Sequence, residues 1–252
     1  MNDEILYALR DQVAWVTLNR PEKRNALTQA GLDALAAHIE QANADKAVWA
    51  VAIQACGSDF CIGQDIEDLD RGDRRGDFFA PVLRALDRTM KPVICAARGE
   101  LRGGGAGILL GADIRIVDRN ARIGWLHARM GIASISGPAT LARAVPKNIA
   151  YEMMFTCDYL DAARAHVLGL VNHVVDDGAV EAKCEEIVAK VIANAPLATR
   201  AMKRATQGTL ALPYEDAVAQ ARAILGGVMD TEDAKEGLSA MREGRVPQWR
   251  GC

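Results

Sequence analysis

The chain of 252 residues lacks any apolar run approaching the ~18 residues that a membrane-spanning helix requires. It also lacks a charge excess: the net charge of −3 gives no global reason to expect a nucleic-acid partner. The opening MNDEILYALR carries acids where a secretion signal carries basic residues, and no apolar core follows it. Cys56, Cys61, Cys95, Cys157, Cys184 and Cys252 show no C-x-x-C spacing and no Cys/His cluster of metal-ligand type. Several sit in apolar stretches such as PVICAA, where Cys acts as a small hydrophobe. Reduced thiols and a soluble, cytoplasmic protein are therefore expected, with no bound metal, no nucleic acid and no membrane. Phosphate-loop chemistry is disfavoured as well. The chain has no G-x-x-x-x-G-K-[ST] and no G-x-G-x-x-G with a suitably placed ribose-binding acid.

What is present is an ordinary globular balance, half apolar and a quarter charged, enough for one sizeable core. ILYAL and VAWVTLN, separated by Arg10, Asp11 and Gln12, read as a hairpin. From Thr28 a helical stretch places Leu32, Leu35, Ala36 and Ile39 on one face. VWAVAIQA, PVICAA and DIRIVD read as strands, each next to a helical or glycine-rich segment. This recurring strand–strand–helix order predicts an α/β fold with crossover connections. From about Pro138 the pattern is mostly helical. EAKCEEIVAKVIANA and YEDAVAQARAILGGVM are amphipathic, and Pro196 and Pro213 fit first-turn positions. We read residues 1–195 as the core and 196–252 as a C-terminal helical region without strands, a lid or packing module on that core.

Two glycine-rich segments carry the chemistry. Asp59 to Ile66 follows a strand, with Gly63 where a side chain would obstruct the turn and Asp65 at the start of a helix. Gly103, Gly104, Gly105 and Gly107 follow PVICAA and open GILLGAD. Backbone N–H groups at such helix starts lack intrahelical partners and can point at a ligand oxygen. Two such segments suggest converging donors, the arrangement an oxyanion hole needs.

The order of motifs then shows a family resemblance. Asn19-Arg20-Pro21-Glu22-Lys23-Arg24-Asn25-Ala26-Leu27 resembles the crotonase R-P-x-x-x-N-A-L segment. Phe60-Cys61-Ile62-Gly63-Gln64-Asp65 resembles its F-C-x-G-x-D loop. Lys91-Pro92-Val93-Ile94 through Gly103-Gly104-Gly105, with Asp113 beyond, resembles its K-P-V-I to G-G-G segment. Gly169-Leu170-Val171-Asn172 and Glu232 to Gly237 are similar to further signatures, so the match runs almost the whole chain. The resemblance is to the enoyl-CoA hydratase/isomerase (crotonase) superfamily. It implies a spiral of strand–strand–helix turns assembled as a homotrimer or hexamer. It implies an acyl-CoA substrate, with coenzyme A present as part of the thioester and no permanently bound cofactor. The N–H groups of Gln64 and Gly104 would form the oxyanion hole. Lys23, Arg24, Ala26, Ile62, Gly63, Asp65, Ile66 and Gly103 would line the coenzyme A site.

The departures from the family pattern bear on the reaction. Hydratases of this type usually carry two glutamates. By the resemblance the first position is Gly107 and the second falls on His127. The stretch where some family isomerases carry an acid reads Ile132 to Gly137, without a carboxylate. His127 can replace a carboxylate because imidazole titrates near neutrality. His38, His166 and His173 read as helix-surface or strand-end residues. Arg98, Glu100 and Arg102, if extended, share one face and read as an ion-pair set or a subunit contact, with a charged acyl group as the alternative. Arg129 reads as a solvated loop charge. The run from Glu67 to Arg75 resembles the family's mobile segment, and Asp68 or Asp70 could supply a carboxylate. Three functions stay open. The first is an acyl-CoA hydratase or isomerase using His127. The second is a thioester hydrolase, decarboxylase or C–C lyase on the same hole. The third is a non-catalytic acyl-CoA binder.

Overall fold

A computed structural model describes residues 3–71 and 78–252. Strands β1 (Ile5–Arg10) and β2 (Val13–Leu18) form the expected hairpin, with Ile5 opposite Leu18 and Arg10 opposite Val13. The turn is shorter than the sequence suggests. Arg10 closes β1, and only Asp11 and Gln12 connect the strands, at φ of 49° and 61°. Two successive left-handed residues suit the right-handed twist of a hairpin. Helix α1 (Gln29–Ala44) starts where expected, because the Thr28 side chain caps it by accepting from the Gly31 N–H.

Beyond the hairpin the main sheet is parallel. Strand β3 (Ala50–Ala55) pairs with β2. Strand β4 (Val93–Ala97) follows, then β6 (Ile114–Asp118) and β9 (His173–Val175). Helices α2 (Ile66–Arg71) and α3 (Ala80–Arg88) lie between β3 and β4 in the chain. A second sheet holds β5 (Glu100–Arg102), β7 (Arg122–Gly124) and β8 (Leu160–Asp161), with α4 (Gly104–Gly111) between β5 and β6.

Both faces of the main sheet are covered, and the alternation of side chains sorts the core in two. Val13, Trp15, Ala50, Ala52, Ile94, Ala96 and Ile116 face Val180, Cys184, Ile187 and Val188 of α8 (Val180–Ile192), numbering through α5 (Ser136–Ala144), α6 (Lys147–Thr156) and α7 (Ala162–Val167). Ala14, Val16, Leu18, Val51, Ile53, Cys95 and Val117 face the larger core, together with Leu32, Leu35 and Ile39 of α1 and Leu86 of α3. The α/β architecture with parallel crossover connections is the one expected from the order of strands and helices in the sequence.

The second half departs from its reading in detail. Strands β8 and β9 interrupt the stretch that reads as mostly helical after Pro138. At two and three residues they are too short to show a period. The C-terminal segment holds α9 (Pro196–Thr209), α10 (Tyr214–Leu225) and α11 (Glu232–Glu243). Pro196 opens α9, but Pro213 precedes α10 as its cap instead of entering its first turn. α10 packs on α9, yet none of its residues is fully buried within one chain, so its amphipathic stripe is only partly covered there. All six cysteines are unpaired. Among the described residues no helix is long and apolar enough to cross a membrane, and no cluster of His, Cys, Asp and Glu is arranged to hold a metal.

Candidate active site

The site is built on three pieces of backbone that meet through hydrogen bonds. The first is the loop from Asn19 to Leu27. Pro21 starts a short 3-10 turn, Pro21–Lys23, and Arg24 and Asn25 follow in the left-handed region at φ of 53° and 54°. Asn25 is buried and uses its whole amide. Its Oδ1 accepts from the Arg20 N–H at 2.8 Å, and its Nδ2 donates to the carbonyls of Cys56 and Asp59 at 2.8 Å each. This clamps the loop against the segment after β3. Leu27 then bridges to the second piece: its N–H donates to Gly63 O and its carbonyl accepts from the Asp65 N–H, both at 2.9 Å.

That parallel bridge fixes the direction of the peptide between those two bonds. The neighbours of Gln64 face Leu27, so the Gln64 N–H points the other way. Among the described residues it has no backbone acceptor. Gly63 stands at φ of 103°, which only glycine adopts freely.

The third piece is β5 and the start of α4. Cys61 and Leu101 form a bridge, with the Arg102 N–H donating to Cys61 O at 3.0 Å. Gly103 turns the chain at φ of 51°, and its N–H donates to Gly124 O at 2.9 Å. The first helical bond of α4 runs from the Gly107 N–H to Gly103 O at 2.9 Å. The Gly104 N–H lies inside that first turn and has no backbone acceptor among the described residues. A Cβ on Gly105 would overlap the carbonyl oxygen of Cys61, so the two glycine-rich segments touch backbone to backbone. The two unpartnered donors thus lie on adjoining segments.

Two rings flank the Gly104 donor. A Cβ on Gly103 would lie 2.7 Å from Cε1 and 3.2 Å from Nε2 of His127, so the imidazole rests on that glycine. A Cβ on Gly104 would be equidistant from three ring carbons of Phe79 and inside their contact radius. Gly104 therefore sits over the centre of the phenyl ring. The contact continues along both helices: Leu83 lies 3.5 Å from a Cβ on Gly107, and Leu86 lies 2.7 Å from one on Gly111. Helix α3 packs a Phe79, Leu83, Leu86 ridge into a glycine groove on α4. His127 opens a 3-10 turn, His127–Met130. Its Nδ1 is buried and has no partner, and burial holds the imidazole below its ordinary pKa.

The remaining candidates divide. Arg24 is bound to Asp59 at 2.8 Å and to Glu100 at 3.1 Å. The Arg24 bond is the first cause that holds the Asp59 carboxyl below its usual range. Asp65 pairs with Arg20 at 2.5 Å and accepts the Glu67 N–H at 2.9 Å, so its carboxylate fixes the loop and caps α2. Lys23 lies 3.5 Å from Glu67, Ala26 is buried, Ile62 is half-buried and Ile66 is exposed beside the loop. The ion-pair reading of Glu100 and Arg102 holds: Glu100 also accepts from Tyr159 at 3.1 Å and lies 3.5 Å from Arg122. Burial pushes the Glu100 carboxyl up, but the Arg102 bond and its other partners bring it net below the usual range. Arg98 leaves that set and pairs with Glu181 of α8, because it precedes β5 in a loop. Arg129 pairs loosely with Asp158 at 3.9 Å.

Asp68 does not face the site freely; its Oδ2 accepts the Gln29 N–H at 2.5 Å. Of the charged run to Arg75, residues 72–75 and the side chains of Leu69, Asp70 and Arg71 lie outside the described residues. Phe79 and the clamp made by Asn25 emerge only from the structure. The single signal for Phe79 is an aromatic residue just ahead of a helix with Pro81 in its first turn.

Comparison with known proteins identifies the family. A family model described as enoyl-CoA hydratase/isomerase matches residues 9–252. The chain is 32% identical over 250 residues to the short-chain-enoyl-CoA hydratase of Clostridium acetobutylicum, covering 96% of each chain. It is 31% identical to the (E)-benzylidenesuccinyl-CoA hydratase of Thauera aromatica, over 96% of this chain and 97% of that one. Among solved structures, an enoyl-CoA hydratase from Mycobacterium tuberculosis matches all of both chains with 32% identity and a TM-score of 0.91.

Proposed function

The chain belongs to the enoyl-CoA hydratase/isomerase family, and from that premise we propose that it binds an α,β-unsaturated acyl-CoA thioester and adds water to its double bond or shifts that bond. The thioester oxygen accepts from the N–H groups of Gln64 and Gly104. Negative charge that develops on that oxygen as the enolate forms is met by donors already in place. His127 is the acid/base. In hydration, its neutral imidazole takes a proton from water as the oxygen bonds to Cβ, and the resulting imidazolium returns a proton to Cα. In isomerisation, the same nitrogen carries a proton from Cγ to Cα. Coenzyme A enters and leaves as part of the substrate, along Lys23, Arg24, Ala26, Ile62, Gly63, Asp65, Ile66 and Gly103.

The observation that carries this reading is the pair of unpartnered N–H groups on touching loops, with an imidazole packed on the glycine beside one of them. Gly107 and His127 stand where the resemblance puts the hydratase glutamates, so His127 is the titrating group that remains there. Self-association as a trimer or hexamer is part of the same reading. It is supported by apolar side chains left open on the C-terminal segment, among them Leu210, Tyr214, Met241 and Val246.

The test is mass spectrometry of the protein with enoyl-, β-hydroxyacyl- and malonyl-type CoA thioesters, beside His127→Ala. Gain or loss of water, or a shifted double bond, is expected and should fall by ~10²–10⁴ in the variant. Release of free coenzyme A or carbon dioxide would replace this reading with hydrolysis or decarboxylation. Binding with no turnover of any thioester would replace it with a non-catalytic acyl-CoA binder.

A further inference from the structure

We infer that Phe79 sets the acyl-chain specificity of this site and restricts it to short acyl groups. The inference rests on the acyl-thioester reading above. An oxygen bound to the Gly104 N–H lies ~2.7–3.1 Å from that nitrogen. The first acyl carbons then lie within contact distance of whatever covers Gly103 and Gly104. Those covers are the His127 imidazole on Gly103 and the Phe79 phenyl ring centred on Gly104. The acyl group starts between the two rings. The imidazole is the reactive wall, and the phenyl ring is the inert one.

Past Phe79 the wall does not open. Leu83 covers Gly107 and Leu86 covers Gly111, so α3 lines the groove of α4 along its length. Phe79 and Leu86 are both buried, and Val82 and Ala85 anchor α3 in the main core. The ridge cannot swing aside without exposing those residues. An acyl chain that lengthens from the donor therefore meets the phenyl ring. Phe79 precedes the first residue of α3, so shortening its side chain removes the obstacle without altering a helical position.

The experiment measures dissociation constants of butyryl-CoA and decanoyl-CoA by isothermal titration, on the wild type, Phe79→Ala and Phe79→Leu. Both thioesters are saturated, so binding is read without turnover. Each methylene newly buried is worth about fourfold in affinity. Admitting two or three more of them should raise the preference for decanoyl-CoA over butyryl-CoA by at least about tenfold in Phe79→Ala. Phe79→Leu retains more of the core and should shift the preference the same way by a smaller factor, which keeps the test open if the alanine variant does not fold. An unchanged ratio in a folded variant that still binds butyryl-CoA overturns the inference and leaves the acyl-thioester reading intact. If the wild type binds neither thioester, the acyl-thioester reading fails and this inference fails with it.

Discussion

Replacing Asn25 by alanine should be the most damaging single-atom-group change near the site that touches neither ring. The amide makes three hydrogen bonds of 2.8 Å from a residue 1% exposed. Each is worth about 1 kcal/mol net, and the two carbonyls released have poor access to water. The backbone adds to this. Asn25 stands at φ of 54°, which asparagine tolerates and alanine resists by about 1 kcal/mol. The total is about 3–5 kcal/mol, a large share of the stability of an ordinary domain. Urea unfolding followed by circular dichroism would read it as a lower midpoint at unchanged slope. Asn25→Asp discriminates the cause. It keeps the acceptor for Arg20 but sets a carboxylate against two carbonyl oxygens, so it should be at least as destabilising at neutral pH. A loss under about 1 kcal/mol in Asn25→Ala would refute the idea that this amide is the clamp.

Other outcomes follow from the same geometry. Gly104→Ala should drive a methyl group into the Phe79 ring and displace the adjoining donor, reducing kcat by ~10²–10³ in a chain that remains folded. His127 is held below its ordinary pKa of 6.5 by burial. A neutral base then predicts turnover that rises with pH through a midpoint below 6.5, read from a pH–rate profile. Stability carries the matching sign. Between the folded and unfolded pKa values the unfolded chain binds more protons, so stability rises with pH across that window and is lost as pH falls through it. Unfolding midpoints at pH 5 and 7, with His127→Asn as the control lacking the titration, would check this. Glu100→Gln should cost only about 1 kcal/mol, because Arg24, Arg102 and Arg122 are partly exposed and screened. The loss should shrink in 1 M salt when urea midpoints are compared.

The parts of this site that are backbone were legible in the sequence, because glycine marks them. Gly63, Gly103 and Gly105 stand where a left-handed turn or a close approach demands them, and the two loops that hold Gln64 and Gly104 follow from those positions. The hairpin was legible as two apolar runs separated by polar residues, and α1 through the apolar face that follows Thr28. The rest depends on contacts between residues far apart in the chain. No local pattern says that Asp68 will reach Gln29, that Arg98 will turn to Glu181, or that a phenyl ring at Phe79 will settle on Gly104. The stripe on α10 shows the converse limit. A periodicity reports that a face is apolar, and it does not report what covers it.

The ridge of α3 in the groove of α4 also limits which changes the chain can accept. Leu83 occupies the room beside Gly107, within 3.5 Å of where a side chain would begin. The first atom of a side chain at position 107 would touch Leu83 at ordinary contact distance, so it fits, and a longer side chain would have to share the space that Leu83 fills. The two positions are coupled through that shared space. A library that seeks a second acid/base at position 107 should therefore vary Leu83 with it.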